Sequence, residues 1–224
     1  MAVFGCGPVG LFAIEGAKLK GASRVIAVDA VPTRLEMARE LGAEVINFEA
    51  EDPVATIREL TGGIGTDRVI DAVGVDAERP HHGPATQGVE EAAARFRHEV
   101  REIAPDASPR GDLWRPGDAP SQALQWSVQA LAKAGTLSII GVYPPTDRFF
   151  PIGMAMNRNI TVRMGNCNHR KYIPELVDMV RRGSLEPDRV LSQREPVTSA
   201  IEAYETFDQR RPGWIKVELL PQTG

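Results

Sequence analysis

The stretch VFGCGPVGLFAIEGAKLKGASRVIAVD, residues 3–29, decides the predicted fold. It opens with an apolar run and continues with Gly5, Gly7 and Gly10 in the spacing G-x-G-x-x-G. A helical segment follows, and a second apolar run ends at Asp29. This order of strand, glycine turn, helix, strand and acid predicts the first βαβ unit of a dinucleotide-binding Rossmann fold. The alternative is an ordinary tight βα turn followed by a surface aspartate.

Each glycine of this turn has a mechanical role. Gly5 permits the tight turn, Gly7 lets a pyrophosphate approach the backbone, and Gly10 lets the helix pack closely on the strand. The amides at the helix N-terminus face the phosphates with the positive end of the helix dipole. The turn and the helix that follows it therefore form a candidate phosphate site.

The acid at the end of the second strand indicates which dinucleotide is bound. Asp29 lies about 20 residues beyond the glycines, where a carboxylate accepts both hydroxyls of the adenosine ribose. A carboxylate there favours NAD over NADP, because it repels a 2′-phosphate. Arg34 could hold that phosphate. With Asp29 in position, we interpret Arg34 as lying beside the adenine ribose.

The bulk composition excludes several classes of protein. The 224 residues suffice for one large domain or two small ones, and 42% hydrophobic with 25% charged residues is typical of a globular protein. A net charge of -4 gives no reason to invoke nucleic acid or an anionic membrane. No apolar run approaches the roughly 20 residues of a membrane span. No leader is recognisable, so the cytoplasm is the expected compartment.

Beyond residue 29 the pattern continues to alternate between strands and helices. The implied fold is α/β, a single domain over residues 1–224, with a doubly wound, six-stranded parallel sheet in the order 3-2-1-4-5-6 and right-handed crossovers. The predicted strands cover residues 44–48, 68–73, 135–142, 159–164 and 214–220. The predicted helices cover residues 31–42, 53–60, 121–133, 172–182 and 198–209.

Residues 75–119 interrupt this alternation. Apolar residues at helical spacing predict one amphipathic helix over residues 88–104 within this insertion. We expect residues 105–119 to be poorly ordered, since long connections are usually lids or disordered. The adjacent His81 and His82 are interpreted as solvated residues, because neighbouring loop histidines rarely chelate one metal. The alternative hypothesis is that the insertion folds over the adenosine half of the cofactor.

Five sequence segments together resemble a known family. They are VFGCGPVG, AVDAVPTRLEMARELGA, DRVIDAVG, GTLSIIGVYPP and FDQRRPGWIKVELLP. In combination they resemble the nucleotide-binding half of the zinc-containing, medium-chain alcohol dehydrogenases. The insertion after DAVG resembles the formaldehyde dehydrogenase and dismutase branch. The resemblance covers essentially the whole chain.

This resemblance implies a set of cofactor-binding residues. All of them except the last lie at carboxyl ends of strands or in the following turns, where a doubly wound sheet binds its ligand. They are the pyrophosphate loop (Gly5, Gly7, Pro8 and Val9, with Gly10), the ribose site (Asp29, Arg34), the adenine side (Ala72, Val73), the strand end that holds the nicotinamide carboxamide (Gly141, Val142, Tyr143), the sixth-strand tip (Met164, Gly165) and a basic residue that reaches the pyrophosphate (Lys216).

The zinc site of the resembled family is not expected in this sequence. Family members bind catalytic zinc through cysteine and histidine residues of a domain that precedes the glycine turn, and no such domain precedes it here. Cys6 lies inside the turn, and Cys167 has only His169 near it, whereas zinc needs three or four protein ligands. We therefore expect no metal ligand and no catalytic residue in this chain.

Two functions from different classes remain open. The first is the NAD-binding domain of a zinc-dependent alcohol or aldehyde dehydrogenase, without turnover alone and acting on a small alcohol or aldehyde in the complete enzyme. The second is a free-standing NAD(H)-binding regulatory or redox-sensing module; a methyltransferase fits less well. For the first function, residues 210–224 would return to the catalytic domain, so the strand 214–220 should lack a partner here. The resemblance also implies a homodimer through residues 159–164, an apolar sheet edge.

Overall fold

A computed structural model describes residues 1–104 and 116–221. The strands are β1 (Ala2–Phe4), β2 (Ile26–Asp29), β3 (Glu44–Asn47), β4 (Thr66–Asp71), β5 (Leu131–Ile139), β6 (Thr161–Met164), β7 (Gln193–Pro196) and β8 (Val217–Leu220). The helices are α1 (Pro8–Leu19), α2 (Pro32–Glu40), α3 (Pro53–Leu60), α4 (Val89–Ile103), α5 (Gln122–Ala130), α6 (Ile152–Asn157), α7 (His169–Arg181) and α8 (Ala200–Asp208). Short 3-10 turns connect several of these elements.

The central sheet confirms the predicted fold. Its six strands are parallel and follow the order β3-β2-β1-β4-β5-β6. Most predicted elements are found with boundaries that differ by at most three residues. The carboxyl ends of β1 and β4 lie side by side, with Phe4 paired to Asp71. This is the point at which ligands bind in doubly wound sheets.

The two faces of the sheet have separate cores because successive strand residues point to opposite faces. In β1, Phe4 joins a core that contains Ile57 of α3 and Leu124 of α5. Val3 joins the other core, which contains Leu11 of α1. The helices therefore cover both faces, and the apolar strands are buried between them.

The end of α5 differs from the prediction. The pattern predicts a helix over residues 121–133, but α5 ends at Ala130. Arg58 donates to the carbonyl of Gln129 at 2.8 Å, and Arg158 donates to the same carbonyl at 3.2 Å. Two guanidinium groups thus satisfy a carbonyl that the helix C-terminus exposes, and their charge complements the helix dipole. A contact from outside the helix sets this end, and local periodicity does not reveal it.

The strand after α5 is shifted for a related reason. The prediction over residues 135–142 is wrong at both ends, because β5 begins directly after α5 and stops at Ile139. The amides of Ile140 and Gly141 both donate to the carbonyl of Asp71 at 2.9 Å. These bonds draw the chain toward the end of β4 and end the strand.

The C-terminal region corrects another expectation. Strand β8 was expected to lack a partner in this chain, but it pairs in parallel with β7, with Gln193 opposite Val217. The sequence of β7 reads QREP and carries no apolar alternation, so the sequence analysis did not predict it. It did not predict the short helix α6 either.

The insertion is attached to the body at both described ends. Helix α4 confirms the predicted amphipathic helix, and its fully buried Glu99 accepts bonds from the amide and hydroxyl of Ser121. Residues 105–115 of the stretch expected to be poorly ordered lie outside the described residues. Residues 116–119 are instead bonded to the start of the insertion, since Gly117 donates to Val75 at 3.0 Å. None of the described helices combines the length and apolar character that crossing a bilayer requires.

Candidate cofactor site

A cavity of about 540 Å3 opens at the carboxyl ends of the central strands. Six of the predicted cofactor residues line it: Gly5, Gly7, Asp29, Arg34, Ala72 and Val73. These are the residues assigned to the glycine turn, the adenosine ribose and the adenine side. The sheet therefore brings the two halves of the predicted adenosine site, from β1–β2 and from β4, into one cavity.

The glycine turn has the geometry that close phosphate approach requires. Gly5 has a φ of +88°, which is costly for residues with a side chain. A Cβ on Gly10 would lie 1.8 Å from the carbonyl oxygen of Gly5, so only glycine lets α1 pack here. A Cβ on Gly7 would meet nothing within 4 Å, which leaves open space in front of that residue. The described residues thus fit a pyrophosphate at the N-terminus of α1.

Asp29 is held by the backbone around it. One carboxylate oxygen accepts from the amide of Cys6 at 2.7 Å, and the other accepts from Ala30 and Val31 at 2.8 and 2.9 Å. The residue is buried to 8% exposure, yet it lines the cavity. Its carboxylate is therefore preorganised as an acceptor, as ribose recognition requires.

The cavity has an aromatic side that the sequence analysis missed. Trp126 on α5 lies beside Phe48, with ring centroids 5.5 Å apart, and 6.5 Å from the Phe4 ring. All three residues line the cavity. Trp126 stands in a helical pattern typical of core residues, so only the fold indicates that it also faces a ligand site. These rings offer an apolar surface to a planar base.

Two further segments complete the cavity and were also missed as site residues. The first belongs to the insertion and consists of Asp76, Ala77, Glu78, Pro116 and Gly117. The second is the end of α8 and its continuation, residues 207–210. The insertion therefore borders the predicted adenosine site, and its folding over the cofactor stays a hypothesis.

Asp71 connects the ends of β4 and β5. Its fully buried carboxylate accepts from the amides of Val73 and Gly74 at 2.9 and 3.2 Å, and from the hydroxyl of Tyr143 at 2.6 Å. Burial raises the pKa of the Asp71 carboxyl, and these three donors oppose the rise. Burial, with the nearby Asp71 charge, also raises the pKa of the Tyr143 hydroxyl. The hydroxyl therefore donates a hydrogen bond to the Asp71 carboxylate.

The residues predicted for the nicotinamide lie outside this cavity. Val142 is 76% exposed and Met164 is 69% exposed. Gly141 packs against Gly74, where a Cβ on Gly141 would lie 2.2 Å from the Gly74 nitrogen. Gly165 does not line the cavity either. The residues predicted for the nicotinamide therefore lie on an open surface formed by the ends of β5 and β6.

Three residues of the predicted pyrophosphate loop also lie outside the lining of the cavity: Pro8, Val9 and Gly10.

Comparisons with known proteins agree with this geometry. Residues 8–79 match the sequence profile of the zinc-binding dehydrogenase family. The uncharacterized zinc-type alcohol dehydrogenase-like protein AdhB of Bacillus subtilis (strain 168) is 35% identical over 221 residues, which are 98% of this chain and 52% of that protein. Residues 8–79 therefore carry the sequence pattern of the zinc-binding dehydrogenase family, and nearly the whole chain is similar to about half of a zinc-type alcohol dehydrogenase-like protein. These matches do not distinguish the formaldehyde dehydrogenase branch.

Solved structures of longer proteins show the same partial match to this chain. Alcohol dehydrogenase TADH from Thermus sp. ATN1 matches with a TM-score of 0.72 and 31% identity, over 99% of this chain and 52% of that one. A short chain alcohol dehydrogenase (rspB) from E. coli CFT073, complexed with NADH, shares the fold with a TM-score of 0.67 at 19% identity, over 97% of this chain and 51% of that one. The chain spans about half the length of the curated relatives it matches.

Lys216 is not brought into the main cavity. It lines a second cavity of about 140 Å3 with Tyr204, Phe207 and Leu219, between α8 and β8. Phe207 borders both cavities. The predicted contact of Lys216 with a pyrophosphate thus stays a prediction.

The described residues do not fit the zinc that the family implies. Within residues 1–104 and 116–221, no three or more His, Cys, Asp and Glu side chains are grouped to hold a metal ion. Burial raises the pKa of the Cys6 thiol well above its ordinary value, which disfavours the thiolate that zinc needs. His81 is engaged elsewhere: its amide and ring Nδ1 contact the carboxylate of Glu49, at 2.9 and 3.2 Å.

Proposed function

We propose that this chain is the NAD(H)-binding part of a zinc-dependent alcohol or aldehyde dehydrogenase and has no turnover alone. The observation that carries the proposal is the cavity formed by the glycine turn, Asp29 and the end of β4. It lies where doubly wound sheets bind dinucleotides. Similarity to the zinc-binding dehydrogenase family supports a dehydrogenase over a methyltransferase.

In this proposal each part of the crevice has its own task. The turn from Gly5 to Gly10 and the N-terminus of α1 take the pyrophosphate. Asp29 accepts the hydroxyls of the adenosine ribose, and Arg34 lies beside that ribose. Trp126 and the neighbouring rings contact the adenine side.

The nicotinamide would lie on the open end of the crevice. Backbone groups from Gly141 to Tyr143 hold its carboxamide, and Met164 and Gly165 border its ring. When bound, the nicotinamide accepts a hydride from the substrate. This chain orients the ring, and no described residue is assigned an acid–base role. Zinc and the substrate would be held by the remainder of a full-length family member.

An exposed apolar face of one helix supports the proposal that a further part of the enzyme packs against this chain. Helix α7, all of whose residues are described, buries none of them. Five of its apolar side chains are between 41% and 52% exposed: Tyr172, Ile173, Leu176, Val177 and Val180. An amphipathic helix is normally stabilised by burying such a face. We infer that the rest of the enzyme covers it.

Several finer assignments belong to the same proposal. The insertion suggests the formaldehyde dehydrogenase branch and hence a small aldehyde or its hydrate as substrate. We also propose a cytoplasmic homodimer through residues 159–164, because β6 is the last strand of the sheet order. Light scattering should detect the dimer, and a monomer at high concentration would argue against it.

Isothermal titration with NAD tests the proposal. Replacing Gly7 with alanine should raise the NAD dissociation constant at least about tenfold, because the new Cβ projects where the pyrophosphate approaches. The fold should tolerate it, since Gly7 has an ordinary φ of -67° and nothing lies within 4 Å of that Cβ. Gly16→Ala, within the helix α1 that Gly7 precedes, is the matched control, because a Cβ there also meets open space. Unchanged binding by Gly7→Ala, or ethanol or formaldehyde oxidation by the chain alone, would contradict the proposal.

The second candidate, a free-standing redox-sensing module, is favoured by the pairing of β7 with β8. That pairing gives the C-terminal strand a partner within the chain. A redox sensor must discriminate NAD+ from NADH through the nicotinamide ring. A cofactor half with an open nicotinamide end should bind both forms with similar affinity. A ratio of dissociation constants near one therefore favours the dehydrogenase, and a ratio above about ten favours the sensor.

A further inference from the structure

An ion pair joins two walls of the adenosine cavity. Arg210 Nη1 lies 2.6 Å from Glu78 Oε1, and Arg210 Nη2 donates to the carbonyl of Asp76 at 3.1 Å. All three residues line the cavity. Arg210 belongs to the segment after α8, whereas Asp76 and Glu78 belong to the start of the insertion. The contact therefore links parts of the chain that are 134 residues apart.

The insertion side of this contact is firmly attached. Gly117 donates to Val75 at 3.0 Å, and Ala119 donates to Ala77 at 3.1 Å. Ala77 is buried, and an ion pair of 2.9 Å joins Arg79 to Asp118. Glu78 thus projects from a wall with its own hydrogen bonds, and it offers a fixed anchor to whatever lies opposite.

The α8 side is held less firmly. Of the nine residues of α8, Ala203 and Thr206 are buried, while Ile201 and Tyr204 are more than 70% exposed. Elements with few buried contacts open most readily. The end of α8 supplies residues 207–210 to the cavity, so its attachment affects the cavity directly.

The backbone around Arg210 closes the C-terminus of α8. The amide of Arg210 donates to Phe207 at 3.0 Å and that of Arg211 donates to Thr206 at 3.4 Å, the two bonds of a Schellman turn. The φ of +52° at Arg210 is the left-handed conformation that this turn requires. The turn therefore fixes where the chain leaves α8, directly before the Arg210 side chain meets the insertion.

We propose that Arg210 is a positioning residue for nucleotide binding. It holds the end of α8 against the insertion, so that residues 207–210 form a wall over the adenosine. It also pairs a carboxylate that would otherwise face an anionic nucleotide, in a cavity lined by Asp29, Asp76, Glu78 and Asp208. This inference rests on the proposed nucleotide binding and adds a residue that the family resemblance does not assign.

Two consequences distinguish this role from general stabilisation. Arg210→Ala breaks the link and leaves the Glu78 charge beside the ligand, so it should weaken binding more than Glu78→Gln does. In the double variant that unpaired charge is gone, so the double variant should lose less affinity than Arg210→Ala alone. Arg210→Lys keeps the charge and should keep binding within about twofold of the wild type.

The experiment measures equilibrium binding and dissociation rates of AMP and NAD for the full chain. Arg210→Ala should raise the AMP dissociation constant about fivefold, mainly through faster dissociation. Arg194→Ala is the matched control, because it breaks an exposed ion pair with Glu218, 3.1 Å long, that lines neither cavity. Thermal unfolding of each variant establishes that it is folded.

The outcomes separate the two proposals. Wild-type binding together with equal losses for Arg210→Ala and Arg194→Ala would overturn the role of Arg210 alone. Additive losses in the double variant would overturn it as well. A wild-type chain that binds neither AMP nor NAD would overturn the proposed function itself.

Discussion

The two ends of the crevice differ in how completely this chain builds them. The proposed adenosine end is a cavity lined by the glycine turn, the end of β4, α5, the insertion and the end of α8. At the proposed nicotinamide end, the ends of β5 and β6 leave Val142 and Met164 76% and 69% exposed. The chain thus encloses the proposed adenosine site and leaves the proposed nicotinamide site open.

The difference teaches where binding free energy should arise. An enclosed site with preorganised acceptors supports affinity by itself, whereas an open surface contributes little until something covers it. The chain spans about half the length of its curated relatives. We therefore expect adenosine binding to persist without turnover.

The largest expected effect comes from a substitution that disturbs the packing of α1 on the glycine turn of the enclosed end. Gly10→Ala would place a Cβ 1.8 Å from the Gly5 carbonyl oxygen, so α1 must move away from the turn. We expect a loss of at least about 3 kcal/mol in the free energy of unfolding, measured with urea. Gly16→Ala in the same helix, with open space around it, should instead be neutral or stabilise by up to about 1 kcal/mol. Similar values for the two variants would disprove the close packing.

A smaller effect concerns the hydrogen bond from Tyr143 to Asp71, which links the two ends of the crevice. Tyr143→Phe removes a 2.6 Å hydrogen bond to the buried carboxylate of Asp71, which retains two amide donors. We expect a loss of about 1.5–3 kcal/mol in unfolding free energy, the usual range for a bond to a charged group. Tyr172→Phe is a control, since that side chain lies on exposed α7. An equal change in both variants would count against the link.

The same carboxyl gives a pH dependence. Burial raises the pKa of Asp71 above its ordinary 3.8, so the folded protein retains a proton that the unfolded chain releases. Its ionisation therefore subtracts stability as pH rises from 3.8 through the folded pKa. The stability of the wild type relative to Asp71→Asn should fall over that window by at most about 1.4 kcal/mol per pH unit. Urea unfolding of both proteins at several pH values measures this change. A wild-type stability that rises with pH relative to that of Asp71→Asn would refute the assignment.

The sequence predicts the glycine turn and Asp29 of the enclosed end better than it predicts the walls of that cavity. The glycine turn and Asp29 are local signals, because their roles follow from φ angles and from spacing along one βαβ unit. Trp126 and Arg210 reach the cavity through long-range packing, and no local pattern marks them. The ends of α5 and β5 were wrong for a similar reason, since Arg58, Arg158 and Asp71 act on them from distant positions. Strand β7 is polar and depends on β8 for its pairing.

The smallest expected effect tests the open end. NAD and ADP-ribose share the adenosine and pyrophosphate and differ in the nicotinamide, so their dissociation constants should agree within about threefold for this chain. Met164→Ala should change NAD affinity less than about twofold, because an exposed side chain offers little enclosure. Isothermal titration measures both. The opposite result is that NAD binds much more tightly than ADP-ribose and that Met164→Ala abolishes the difference. That result would mean that the open surface already binds the nicotinamide ring, and it would contradict the contrast between the two ends.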